Sequence, residues 1–195
     1  MDATTLLLTP NLTVSVSGRR STPAMPYFAD AIGLWIDKLR PDCVMSGMAL
    51  GVDQLAAEIA LDRGRPVHAV LPGEWQSDRW SPEQRSQWRR LLSRCSRTTI
   101  IDKAATLSGP GKLHHLREMF KARNTFMVQH SDLMIVCWDG IPNGGTYHAL
   151  GQCVAAERPV LLLQHGENPR LLTDGAALRK IMVRRTAWRD LAAIA

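Results

Sequence analysis

Apolar positions along the 195-residue chain follow two rhythms that alternate from one end to the other. Short, β-branched or continuous apolar runs predict buried strands. These are Leu12–Ser17, Asp42–Met45, Pro66–Leu71, Thr98–Ile101, Asp132–Cys137 and Pro159–Leu163. Between them, apolar residues recur at helical spacing. Tyr27 to Leu39 places Phe28, Ile32, Trp35, Ile36 and Leu39 on one side, with Pro41 as the stop. A second helix carries Leu55, Ile59 and Ala60 and ends near Gly64. Ser81-Pro82-Glu83 reads as a helix start with proline at the first position, and that helix runs to about Cys95. Leu113–Gln129, Tyr147–Ala156 and Ala176–Ile194 complete the helical set, and Glu74–Trp80 and Ala104–Lys112 read as irregular. Strand–helix alternation predicts an α/β, three-layer Rossmann-like domain with a mostly parallel sheet of about six strands. It occupies residues 1–195 as one unit, with a core over 12–163 and a C-terminal helical segment over 170–195.

Two glycine-rich turns interrupt this pattern where strand passes to helix. The first is Ser46-Gly47-Met48-Ala49-Leu50-Gly51-Val52-Asp53, and the second is Asn143-Gly144-Gly145-Thr146-Tyr147-His148. A strand, a glycine turn and a helix N-terminus in succession point backbone N–H groups and the positive end of a helix dipole at an anion. Two such turns predict a phosphate-bearing ligand at the C-terminal edge of a parallel sheet.

Charge bears on the partner. The net charge is +6, and six arginines lie between Arg79 and Arg97 against one glutamate. A second basic group comprises Arg179, Lys180, Arg184, Arg185 and Arg189. Each arginine alone reads as part of a solvated helix face; together they suggest an anionic partner, nucleotide or nucleic acid. No apolar run approaches the ~18 residues of a membrane span, and the acidic start is unlike a signal peptide. The four cysteines lack close paired spacing and read as reduced residues of a cytoplasmic protein. His114, His115 and His130 have no metal-ligand spacing with any cysteine, so neither metal nor cofactor is assigned.

With the turns in place the chain resembles the SLOG superfamily, the Rossmann-like group that includes the DNA-processing protein DprA, the LOG cytokinin-activating enzymes and YpsA-like proteins. The resemblance spans about 12–163 and rests on three stretches. Val16-Ser17-Gly18-Arg19-Arg20 is similar to the first-strand signature. Ser46 to Ala56 is similar to the SGxAxGxD turn, and Lys121-Ala122-Arg123-Asn124 with Gly144-Gly145-Thr146 to the Arg-Asn and glycine-turn block. Trp75 to Trp88 is most like the YpsA-like branch. The resemblance implies a nucleotide-related ligand, as sensor, sequestering module or enzyme on an N-glycosidic bond, and a homodimer or dimer of dimers. A DprA-like single-stranded DNA binder is the alternative. LOG enzymes keep a glutamate after the glycine turn; counted from Thr146, its place falls on Ala149, which argues against phosphoribohydrolase activity.

The candidate ligand-binding set is Ser17, Gly18, Arg19, Arg20, Ser46, Gly47, Met48, Gly51, Val52, Asp53, Arg123, Asn124, Gly144, Gly145, Thr146 and Tyr147. Several have a second reading. Arg19 and Arg20 suit either a phosphate or a surface salt bridge, Thr146 suits an N-cap, and Asp53 suits a helix-dipole partner or a ribose carboxylate. Asp53, Asp139 and His148 are the candidate catalytic groups, with His148 in a first helical turn where the dipole lowers its pKa. Trp75, Trp80 and Trp88 either pack beneath the basic helix or, if exposed, stack on a base.

Overall fold

The computed structural model of the chain describes residues 9–20, 22, 24–102 and 112–182. Strands are β1 (Thr13–Gly18), β2 (Cys43–Ser46), β3 (Val67–Gly73), β4 (Arg97–Asp102), β5 (Leu133–Cys137), β6 (Val160–Leu163) and β7 (Arg170–Leu172). Helices are α1 (Met25–Leu39), α2 (Val52–Asp62), α3 (Pro82–Ser93), α4 (Lys112–Gln129) and α5 (Gly144–Ala155). A further helix begins at 175 and is described to 182. The irregular loop read over Ala104–Lys112 and the end of the terminal helix lie almost wholly outside the described residues.

The strands form one sheet in the order β4-β3-β2-β1-β5-β6-β7. All neighbours are parallel except β6 and β7. The sheet therefore has seven strands where the sequence pattern predicts about six. Arg170-Leu171-Leu172 is too short to show a period, and its antiparallel pairing with β6, Leu162 opposite Arg170, makes it a strand. Strand β3 also runs two residues beyond the expected stop at Leu71. Its pairing with β2 ends at Ala69, so Pro72 sits where that side has no ladder bond to lose, while Gly73 still pairs with Asp102 of β4.

Alternating strand residues feed two cores. Val14, Val16, Ile135 and Leu161 pack with α1, α2 and α3 on one face. Met134, Val136 and Leu162 pack with α4, α5 and the helix at 175–182 on the other. Helix α1 follows β1 onto the first face and α5 follows β5 onto the second, although β1 and β5 are neighbours. Their connections diverge above that pair, and the divergence opens a crevice at the C-terminal ends of the strands. Among the described residues no helix is long and apolar enough to cross a membrane.

Candidate functional site

A cavity of about 720 Å³ occupies this crevice. That is within the usual range for small-molecule sites. The end of β1 supplies Ser17, Gly18, Arg19 and Arg20; the turn before α2 supplies Ala49, and the first turn of α2 supplies Asp53. Helix α4 contributes Arg117, Phe120, Lys121, Arg123 and Asn124, and the start of α5 contributes Asn143 to Thr146 and His148.

The two glycine turns play different parts in it. Asp53 and Arg123 form a buried ion pair, Nη1 to Oδ2 at 2.8 Å, with side-chain exposures of 5% and 8%. The guanidinium lies directly over Gly47: a Cβ there would fall 0.9 Å from Arg123 Nη1. Gly51, at φ +89°, lets the chain pass close to the β1 end, since a Cβ would fall 2.2 Å from the Arg20 carbonyl oxygen. The Val52 N–H donates to the Arg19 carbonyl at 3.1 Å. Ser46 Oγ donates to the Asp53 carbonyl at 2.7 Å and accepts from the Met48 N–H at 3.1 Å. Gln76 Nε2 donates to the Gly47 carbonyl at 2.9 Å. The first turn is thus packed and bonded from within the protein. Ser46, Gly47, Met48, Gly51 and Val52 support the cavity from behind, and none is in its lining.

The second turn is open. Helix α5 starts at Gly144 with Asn143 as N-cap and no capping side-chain hydrogen bond, which leaves first-turn N–H groups for solvent or a ligand. A Cβ on Gly144 would meet nothing within 4 Å, and one on Gly145 only Asn124 Nδ2 at 3.6 Å. Asn124 Nδ2 donates to the Gly145 carbonyl at 3.0 Å and so ties α4 to this turn. Tyr147 faces away from the cavity and packs beside Trp138, with ring centroids 6.4 Å apart. Ala149 is fully buried in the core on the α5 side of the sheet.

Cations in the cavity differ in their commitments. Arg19 Nε pairs with Asp139 Oδ2 at 2.5 Å, and its Nη2 donates to Asn143 Oδ1 at 3.3 Å. Lys121 pairs with Glu118 one helical turn away at 2.8 Å. Arg20 and Arg117 have no carboxylate partner among the described residues. Arg123 Nε and His148 Nδ1 are buried without hydrogen-bond partners among the described residues. Burial, then the Lys121 ammonium, hold His148 below the ordinary imidazole range, with Glu118 opposing. The dominant cause is therefore desolvation, where the sequence suggested the helix dipole. Both candidate carboxylates, Asp53 and Asp139, are engaged by arginines.

The sequence model for DNA recombination-mediator protein A matches residues 7–179. The chain belongs to that family. Among curated proteins no sequence matches. Solved structures with the same fold include DNA processing protein A (DprA) from Streptococcus pneumoniae, at 21% identity and TM-score 0.59, covering 80% of this chain and 51% of that one. The chain thus spans about half the length of the pneumococcal protein. DNA processing protein A from Helicobacter pylori, described for its single-stranded DNA binding mode, aligns at 20% identity and TM-score 0.58 over 96% of this chain and 84% of its own. The molybdenum cofactor binding protein from Rippkaea orientalis aligns at 16% identity and TM-score 0.53 over 90% and 84%.

In this DNA recombination-mediator protein A family member, the sequence pattern missed Ala49, Arg117, Phe120, Lys121 and Asn143 as cavity residues. Phe120 reads as core from its apolar neighbours, yet it is half-buried in the cavity wall, edge-on to Trp75 at 5.5 Å. The signal was present: Arg117, Phe120, Lys121 and Asn124 stand at i, i+3, i+4 and i+7, one face of a helix. Trp88 is buried, and Trp80 packs edge-on against it at 5.9 Å.

Proposed function

We propose that the chain binds a nucleotide-type ligand in this cavity, with a phosphate over the start of α5 and the nucleoside towards Phe120. One observation carries the reading: a helix N-terminus without a side-chain cap, opened by two glycines, faces a cavity holding Arg20 and Arg117, whose guanidinium groups have no carboxylate partner among the described residues. Backbone N–H groups, helix dipole and arginines favour the same charge at the same place. The reading covers a mononucleotide, an ADP-ribose-like molecule or a cyclic nucleotide, held by a YpsA-like sensor or sequestering module in a homodimer. Because Asp53 and Asp139 are already paired with arginines, binding is favoured over glycosidic-bond cleavage.

Membership of the DNA recombination-mediator family favours a second reading, in which the same cavity takes one nucleotide of single-stranded DNA. Phe120 at the wall suits stacking on a base in either case. Calorimetric titration with nucleoside monophosphates and with a thymidine oligonucleotide, at two salt concentrations, separates the two. A mononucleotide site gives a shallow salt dependence, whereas a strand-tracking surface gives a steep one. Gly145→Val places a branched side chain in the cavity mouth with room for its Cβ, so it is expected to abolish binding while the melting temperature changes little. Unchanged affinity in that variant removes the proposal.

A further inference from the structure

A smaller cavity of about 290 Å³ lies on the Asp139 side of the Arg19–Asp139 ion pair, and the ligand reading above does not use it. Arg19 lines the larger cavity and Asp139 the smaller, so this ion pair links the linings of the two. Phe28 and Trp138 are among the residues lining the smaller space, with Gln164 and His165 at the end of β6. Trp138 already donates its Nε1 hydrogen to the Ile141 carbonyl at 3.0 Å, so what it offers to the cavity is hydrocarbon. Gln164 is only 3% exposed. Its Oε1 accepts from Arg170 Nη2, and its Nε2 is a buried donor with no acceptor among the described residues. A buried amide donor left unpaired carries a desolvation penalty that an incoming acceptor relieves.

The geometry points to this cavity as a subsite for the carbonyl-bearing ring of a second nucleotide, its carbonyl accepting from Gln164 Nε2. The inference rests on the proposed nucleotide site, since the first cavity holds the first nucleotide. The group linking the two units passes the Arg19 guanidinium, which sits between the spaces and is held there by Asp139 and Asn143. A flat ring suits aromatic walls, and the unpaired donor favours a ring that presents an acceptor to it, such as a carbonyl, over one that presents none. The linkage can be a phosphodiester, as in a DNA strand, or a pyrophosphate, as in a dinucleotide coenzyme; both place two planar groups either side of an anion.

The experiment compares each two-nucleotide ligand with its own mononucleotide on the full chain. 5′-Phosphorylated thymidine dinucleotide is set against thymidine monophosphate, and NAD against adenosine monophosphate, by calorimetry. At least one two-nucleotide ligand is expected to bind about tenfold tighter than its mononucleotide, the order of one well-placed hydrogen bond with its added contacts. The linkage that gains identifies the source. Gln164→Glu retains an oxygen for Arg170 but replaces the donor with an acceptor, and Gln164→Leu removes both; each is expected to bring the affinity ratio near one. If neither two-nucleotide ligand gains over its mononucleotide, or if the ratio survives in Gln164→Glu, the subsite is refuted while the main site stands. Failure of all four ligands to bind the native chain instead removes the proposed function, and this inference with it.

Discussion

Arg123 shows how one side chain can satisfy a family pattern and still have its own structural task. Its guanidinium is buried against the Asp53 carboxylate above Gly47, a position that only a residue without a side chain leaves free. Removing one partner of a buried pair leaves the other charge uncompensated. Arg123→Ala is therefore expected to destabilise the fold by about 3–5 kcal/mol, and Gly47→Ala to act in the same direction by displacing the guanidinium. Denaturant unfolding of the double variant Asp53→Leu/Arg123→Met checks this, because replacing the whole pair with apolar groups restores most of the loss. Equal destabilisation in the double variant contradicts the account. His68 offers a pH test on the far side of β3. Burial, with Arg97 and His130, lowers its pKa from 6.5 to about 4, and its Nε2 is 2.8 Å from Thr99 Oγ1. Protonation thus favours the unfolded chain between these two values. This contribution to stability is fully present above pH 6.5, is lost as pH falls towards 4, and is level below that. The loss is of the order of 1–3 kcal/mol after allowance for screening. Melts of His68→Gln across the same range are expected to show a flatter profile.

At the scale of elements, local sequence was a good guide wherever the signal was local. Helix α3 begins as expected, with Ser81 and Gln84 in a capping box and Pro82 in the first turn. Ser81→Ala is expected to cost about 0.5–2 kcal/mol of stability. It leaves ligand affinity unchanged, since Ser81 lies outside both cavities; thermal melts and titrations on one preparation check both statements. Helix α4 was legible as a helix but not as a cavity wall. Its apolar residues read as one face, and only docking over β3 and against α5 decided that Phe120 turns to the crevice while Met127 enters the core. The strand β7 was not legible, because three residues carry no period and the pairing with β6 supplies its hydrogen bonds.

For the whole molecule, charge and topology act together. Arg85, Arg89 and Arg90 on α3 have no carboxylate partner among the described residues, whereas Arg94 is held by Asp62 at 2.7 Å. If a DNA strand runs from the cavity across α3, log affinity falls with log salt by about 0.7 per neutralised phosphate. Arg85→Ala/Arg89→Ala/Arg90→Ala then lowers that slope for oligonucleotides. An unchanged slope in the triple variant excludes α3 from the path.

Alternating strand and helix periods, the two glycine turns and the cluster of basic residues follow from the chain alone, because each depends on neighbours within a turn or two of backbone. Those signals were sufficient for the Rossmann-like class and for the sheet edge where the larger cavity lies. Tertiary structure decided the rest. The sheet order brings β1 beside β5 and so makes a crevice. It also brings Arg123 across 70 residues onto Asp53, closing the first glycine turn with protein and leaving the second open. Contacts of that separation depend on which strands pair and which face each helix takes, and no local period encodes either.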